Sequence, residues 1–329
     1  MEKVKIGFVG TGQVAYRHLK EFDSMKNVEV TAVFDPKPEN VEKFISQAPA
    51  GGIATYENFE ELIKKSGVDG VVICSPHAFH LPQMRFAMDN GVNVMVEKPA
   101  VVTHEDYLEL RDVVERTGGT LVVGYQRHYM PLVIGAKKLI EEGSIGDIFF
   151  ISGFLAQDWV AVVKKAGRIW RLDPELSGRG QLTDSGSHFT AMLFFLTGMT
   201  AEEVGAFIDF HGEKVDVNTA FIVKFKEKAA GNFGILGVTA SYGEYLMLWG
   251  KKGLIKLSLS ENSYVQFNGE EKTREIPQAE PEAKSPADDF VKCILNKKKP
   301  ATSLSVIEKV ALLSDKIYEA YNSGTIAKV

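Results

Sequence analysis

Val4-Lys-Ile-Gly-Phe-Val-Gly-Thr-Gly-Gln-Val-Ala15 runs an apolar strand directly into Gly10-x-Gly12-x-x-Ala15. This is the form of a dinucleotide-binding turn. Gly10 lets the chain reverse tightly, Gly12 lets the backbone approach a pyrophosphate, and the small Ala15 lets the following helix pack on the strand. Thr11, Gln13 and Val14 complete the segment that would face the phosphates, at a helix N-terminus suited to negative charge. A second apolar strand, Val28 to Phe34, ends in Asp35. An acidic residue about twenty positions beyond the turn accepts hydrogen bonds from ribose hydroxyls and repels a 2′-phosphate, which predicts NAD rather than NADP. Lys37 softens that preference, and a turn residue before Pro36 is the bland reading of Asp35.

The remaining composition is that of an ordinary globular protein long enough for two cores: 329 residues, 45% apolar and 25% charged. A net charge of -5 argues against a general nucleic-acid surface, and Lys297-Lys298-Lys299 reads as a solvated helix end. The two cysteines, Cys74 and Cys293, lie far apart in apolar settings, which suits reduced thiols and a cytoplasmic location. Met1-Glu2-Lys3 leads straight into a strand and no apolar run reaches the roughly twenty residues of a membrane span, so neither secretion nor insertion is expected.

Residues 1–124 alternate Val- and Ile-rich strands with helical stretches, the pattern of a doubly wound parallel sheet. Strands are predicted at Lys5 to Val9, Glu29 to Phe34, Gly70 to Cys74, Asn93 to Val96 and Leu121 to Gly124. Helices are predicted at Ala15 to Lys26, Asn58 to Ser66, His80 to Asn90 and His104 to Thr117. Ligands of such sheets bind at the carboxyl ends of the strands. From 125 to 329 the pattern changes. After a helix from Leu132 to Glu142 it becomes that of an open, mainly antiparallel sheet, its clearest hairpin being Glu244 to Trp249 and Leu254 to Ser260 around Gly250-Lys-Lys-Gly253. One face is expected to pack on the helix after His188 and the other to be covered in part, naturally by a second subunit. Helices near Asp288 to Asn296 and Ser305 to Ser323 follow a Pro-rich connector and are expected to pack back toward the first domain.

Two elements carry chemistry. Glu97-Lys98-Pro99 follows a central strand, where nicotinamide and substrate would meet, so that Lys98 can hydrogen-bond a substrate oxygen and favour its alkoxide, with Glu97 orienting the ammonium. The bland alternative is a solvated strand end. The second element is Gly178-Arg-Gly-Gln-Leu-Thr-Asp184-Ser-Gly186-Ser-His188, which spaces a carboxylate and an imidazole four residues apart, on one face if the segment is helical. Histidine, with an ordinary pKa of about 6.5, suits removal of a hydroxyl proton. Asp184 as a helix cap and His188 as a packed side chain is the alternative. A metal is not expected, since His77, His80, Asp184 and His188 lack a further ligand at a helpful spacing.

Together these residues resemble the glucose-fructose oxidoreductase and myo-inositol dehydrogenase family (Gfo/Idh/MocA). The resemblance rests on the glycine turn, Ser75-Pro-His-Ala-Phe-His80, Glu97-Lys98-Pro99, and Trp170-Arg171 before Asp184-x-Gly186-x-His188, and covers nearly the whole chain. It implies that Lys98, Asp184 and His188 form the catalytic group, with His188 as general acid/base. It places Ser75, Pro76, His77, His80, Glu97 and Gln126 along the nicotinamide half of the cofactor, and dimers or tetramers on the open sheet. Three departures stand out: His77 where Asn is common, Arg179 in place of a third glycine, and Ala191 where an aspartate is usual. The first two are expected to alter the nicotinamide pocket or the substrate loop, and the third helix packing.

Arg127, Asp158, Trp170 and Arg171, with Asp184 and His188, are the candidates for holding substrate, since Trp, Arg and Asp suit a polyhydroxylated ring. The expected reaction is oxidation of a secondary hydroxyl of a sugar or cyclic polyol with NAD. The rivals are a redox-neutral NAD-dependent glycosidase or a sugar–sugar oxidoreductase that retains its cofactor, and a non-catalytic NAD or sugar sensor.

Overall fold

A computed structural model describes residues 3–48 and 52–329, and the chain forms two compact units. The first comprises residues up to Val101, Glu105–Gln126 and Glu282–Ser303; the second comprises Val102–His104, Arg127–Pro281 and Leu304–Val329.

The first unit begins with β1 (Val4–Val9), α1 (Gln13–Asp23), β2 (Val28–Phe34), α2 (Pro38–Ile45), β3 (Ala54–Thr55) and α3 (Phe59–Lys65). It continues through β4 (Gly70–Ile73), α4 (His80–Asp89), β5 (Asn93–Val96), α5 (His104–Thr117) and β6 (Leu121–Val123). All six strands are parallel, in the order β3-β2-β1-β4-β5-β6. The chain therefore winds outward in both directions from the seam between β1 and β4, and the doubly wound expectation holds. β4 is buried along its whole length, as a strand covered by helices on both faces must be. Phe8, Phe22 and Phe44 are buried together, with ring centroids 6.0 and 5.0 Å from Phe8, and full burial of each such ring is worth about 2 kcal/mol. α2 and β3 lie where no element was expected. Two prolines flank Lys37 and suggest a loop, but Pro38 occupies the first turn of α2, where its missing N–H costs nothing. Asn58 caps α3 by accepting from Glu61 N at 2.8 Å.

The second unit holds α6 (Pro131–Glu141), β7 (Ile148–Ala156), α7 (Trp159–Lys165), α8 (Pro174–Ser177), α9 (Gly186–Thr197), β8 (Ala201–Asp209), β9 (Asn218–Phe225) and β10 (Ala230–Leu236). Then come β11 (Gly243–Gly250), β12 (Gly253–Ser258) and β13 (Tyr264–Phe267); the chain next gives α10 (Pro286–Asn296) to the first unit and returns to the second with α11 (Leu304–Ser323) and β14 (Ala327–Lys328). Its eight-stranded sheet runs β13-β12-β11-β7-β10-β9-β8-β14, antiparallel throughout except for the parallel β7–β10 pair. Strands alternate cleanly, β9 burying Phe221, Val223 and Phe225 while exposing Ile222 and Lys224. The buried face meets α9, which is almost entirely enclosed and mostly apolar apart from Ser187, His188, Thr190 and Thr197, with Phe189 edge-on to Phe233 at 6.1 Å. Of the two late helices, α11 packs against β8 and α9, whereas α10 lies in the first unit against β5, β6 and α1. Both cysteines are free thiols, Cys293 buried and Cys74 partly so.

Candidate active site

The glycine turn has the geometry that a dinucleotide requires. Gly10 sits at φ +82°, and a Cβ there would stand 2.8 Å from the Cys74 carbonyl carbon and 2.9 Å from Ser75 N, so only glycine fits beside the end of β4. A Cβ on Gly12 would meet nothing within 4 Å: the backbone faces open space where a phosphate can approach. Gly12 begins α1 without a side-chain cap, and no acidic residue occupies the first helical turn. The helix end thus keeps its positive character. Asp35 is fixed at the end of β2, Oδ2 accepting from Thr11 N at 2.8 Å and from its hydroxyl at 3.0 Å, and Oδ1 from Lys37 N at 3.0 Å and Asn40 Nδ2 at 3.1 Å. A carboxylate held this firmly is a poor neighbour for a 2′-phosphate.

The ends of β4 and β5 carry the next predicted group. Ser75 donates to Gln83 Oε1 at 2.6 Å, and His77 lies in a short 3-10 turn, buried, its ring 5.7 Å from that of His80. His80 is fully enclosed, with Nδ1 2.8 Å from Pro99 O and Nε2 2.9 Å from Ser75 O. Both carbonyls only accept, so both bonds form together only on the doubly protonated ring. Burial opposes that charge and lowers the pKa, while the two carbonyls and Glu97 favour it. With the pKa lowered, the neutral ring donates to one of the two carbonyls at a time, from whichever nitrogen carries the proton. Glu97, also buried, accepts from His18 Nε2 at 2.7 Å and, at 3.3 Å, from the backbone N–H of Lys98. The Lys98–Pro99 peptide is cis, and Gln126, partly buried, opens the 3-10 turn after Tyr125.

In the second unit, Asp184 is 3% exposed and its Oδ2 accepts from Trp159 Nε1 at 2.7 Å and Arg171 Nε at 2.9 Å. The Arg171 guanidinium lies over the Trp170 ring at 4.5 Å. Arg168 stands nearby with its pKa held down, first by burial and then by the like charge of Arg171. Asp158, exposed, is the residue before α7. α9 begins only at Gly186, so Asp184 belongs to the turn that feeds the helix and partly buried His188 to its first turn. Arg127 forms an ion pair with Glu244, whose side chain is wholly buried and also accepts from Tyr242 at 2.6 Å. Burial, then the Glu244 charge, pushes the Tyr242 phenol up to about 12. His128 is buried, stacked 4.2 Å from Phe195, and burial pushes it down to about 3.

Several supporting residues escaped the sequence reading. Asp216, 0% exposed, accepts from Gly180 N and Leu182 N, both at 2.7 Å, and from the Tyr318 hydroxyl, clamping the loop that leads to Asp184. Gly180 is required there, because a Cβ would stand 1.9 Å from Asp216 O. Arg179 points away from that loop and reaches Ser314 at 2.7 Å, Asp315, and the Tyr318 ring, so the departure from glycine adds a strut to α11. The signal for Asp216 was a lone aspartate between Val215 and Val217; for His18 it was a polar residue in the buried Ala15, Leu19, Phe22 stripe of α1. Among the described residues no group of three or more His, Cys, Asp or Glu is placed to hold a metal ion.

With this geometry in view, residues 4–125 match the family model described as an oxidoreductase family with an NAD-binding Rossmann fold, and residues 133–256 match the GFO/IDH/MocA C-terminal domain. The chain belongs to the Gfo/Idh/MocA oxidoreductase family. It is 27% identical over 248 residues to 1-carboxy-3-chloro-3,4-dihydroxycyclohexa-1,5-diene dehydrogenase of Comamonas testosteroni, covering 75% of this chain and 61% of that one. To glucose-6-phosphate 3-dehydrogenase of Bacillus subtilis it is 28% identical over 193 residues, covering 58% and 53%. The matches thus span less than two thirds of either relative. The aldose-aldose oxidoreductase of Caulobacter crescentus, solved with glycerol, shares the Gfo/Idh/MocA fold over 100% of both chains, with a TM-score of 0.85 at 24% identity.

Proposed function

We propose that the protein is an NAD-dependent dehydrogenase oxidising a secondary hydroxyl of a sugar, cyclic polyol or sugar derivative. The observation that carries this reading is Asp184, a buried carboxylate held by Trp159 and Arg171 in the turn leading to His188, within a chain of an NAD-binding oxidoreductase family. A non-catalytic sensor has no need of such a pair. His188 takes the hydroxyl proton, Lys98 hydrogen-bonds the oxygen as negative charge develops on it, and Asp184 orients the hydroxyl or the imidazole. NAD, when bound, supplies the hydride acceptor. Gly10 to Val14 and Asp35 hold its phosphates and ribose, and the segments at Ser75–His80, Glu97–Lys98 and Gln126 its nicotinamide half. Arg127, Asp158, Trp170 and Arg171 are the substrate-facing candidates, and the relatives named for a dihydroxylated carbocycle and for a hexose phosphate favour a hydroxylated six-membered ring.

The test is reduced-nicotinamide absorbance with NAD, or separately NADP, against a panel of inositols, aldoses and sugar acids. A signal with one compound that disappears in His188→Ala supports the reading. Silence across the panel by protein that still binds NAD sinks it in favour of a redox-neutral or cofactor-retaining reaction.

We also propose that a second copy of the chain covers the open sheet. A groove of about 700 Å3 there is lined by Phe207, Ile222 and Ile326, which are 82, 55 and 51% exposed, a costly surface to leave in water. Phe207→Asp is expected to yield monomer in light scattering; a wild-type monomer would end the proposal. The two free thiols fit a reducing, cytoplasmic setting, and no helix among the described residues is long and apolar enough to cross a membrane.

A further inference from the structure

His18 takes no part in the glycine turn, yet it is wholly buried on the face of α1 that otherwise presents Ala15, Leu19 and Phe22. An imidazole in that stripe must give up hydration at both ring nitrogens. Nε2 recovers it by donating to Glu97 Oε1 at 2.7 Å; Nδ1 is buried with no hydrogen-bond partner among the described residues. A leucine would fill similar space without that cost, so packing alone does not account for the histidine.

What it holds is a carboxylate with little freedom to move. Glu97 Oε2 lies 3.3 Å from Lys98 N, and the opposite side is closed by the backbone of Gly124, where a Cβ would stand 2.9 Å from Oε1 and 3.2 Å from Oε2. Burial pushes the Glu97 carboxyl up, but the hydrogen bond and charge of His18, with Lys98, outweigh it and leave the group below its ordinary value. The charged and titratable groups that bear on this carboxylate come from several elements: His18 on α1, Cys74 after β4, His80 on α4, and Lys98 itself.

We propose that His18 is a positioning residue for Lys98: through Glu97 it holds the backbone at the lysine and presents a fixed countercharge to the ammonium. Since His18 stands on α1, it ties that lysine to the helix that carries the dinucleotide turn. The proposal rests on the reading of Lys98 as part of the reaction.

The test compares His18→Leu, His18→Gln, Gly124→Ala and Lys98→Ala in the full chain by two independent readouts. One is NAD reduction with the substrate found in the panel, as kcat, KM and pH profile. The other is the rate at which acetic anhydride acetylates Lys98, followed by peptide mass spectrometry, which needs no substrate. His18→Leu is expected to lower kcat by about tenfold or more with the NAD Kd changed by less than about threefold, and to move the acid limb of the kcat profile to higher pH, because Glu97 then protonates more readily. It should also change the Lys98 acetylation rate by about threefold. Glutamine places an amide N–H near the position of Nε2 and should restore kcat and acetylation. Gly124→Ala crowds the same carboxylate from the other side, should reproduce the signature, and serves if His18→Leu does not fold. Wild-type kcat and acetylation in the folded variants would overturn the proposal, as would a kcat loss that glutamine does not rescue and that leaves Lys98 acetylation unchanged. If Lys98→Ala turns over like wild type while acetylation still follows His18, the catalytic reading of Lys98 fails and the positioning role stands.

Discussion

Glu97 in the first unit and Asp184 in the second are both buried carboxylates, but they are anchored by different means. Glu97 follows β5 directly, its N–H bonded to Ile73 O at 2.9 Å, so sheet register places it; a neighbouring backbone N–H, a glycine and one histidine finish the work. Asp184 stands in an irregular turn and is placed by Trp159 and Arg171, while the loop before it is clamped by Asp216 and braced by Arg179 on α11. A site set mainly by sheet register depends on few side chains, here chiefly His18. One positioned by a side-chain network can be reshaped residue by residue, which suits the half of the molecule proposed to choose the substrate.

The comparison breaks most sharply at Lys98. Lys98→Ala should lower kcat by about 1000-fold while NAD affinity, measured by titration calorimetry, stays within about threefold. Equal turnover would remove Lys98 from the chemistry and leave the first unit the task of holding NAD. Asp216→Ala should show the dependence of the second site on side chains. It strands two backbone N–H groups and a tyrosine hydroxyl in the interior, and an expected loss of about 3 kcal/mol should appear in denaturant unfolding. A loss well under 1 kcal/mol would mean that backbone contacts hold the loop without the Asp216 carboxylate.

Acid should expose the same difference. His128 in the folded chain is pushed down to about 3, against about 6.5 unfolded, so its contribution is complete above the unfolded value and is lost as pH falls toward the folded one. Between pH 6.5 and 5 the loss is on the order of 2 kcal/mol. His128→Gln should flatten that limb of the stability curve, and an unchanged limb would assign acid sensitivity to other groups. The smallest effect belongs to the first unit: Asn58→Ala removes the cap of α3 and should cost about 1 kcal/mol in the same unfolding measurement, with no change in kcat.

The first unit was largely legible in sequence because its signals are local. Strands of Val and Ile, the Gly10-x-Gly12 turn and Asp35 each declare themselves within a few residues, and the parallel sheet follows from their alternation with helices. α2 was missed because Pro36 and Pro38 look like a loop when it cannot be seen that Pro38 falls in a first helical turn. In the second unit the hairpin around Gly250 and Gly253 and the helix after His188 were readable from alternation and apolar runs. The parallel β7–β10 pairing was not, since it joins strands far apart in the chain, and neither was the bond from His18 to Glu97.

The sequence by itself singled out the residues proposed to bring chemistry: the glycine turn and Asp35 for NAD, Lys98 at a strand end, and Asp184 and His188 around a glycine-rich turn. Tertiary structure alone decided what holds them. Trp159 and Arg171 meet one oxygen of Asp184, Asp216 grips Gly180 and Leu182, and Arg179 turns away to α11. The reason is physical. Local pattern reports the periodicity of burial along one segment, whereas a buried polar group is satisfied by whichever donor the packed fold brings within about 3 Å, and that donor carries no mark in the sequence beside it.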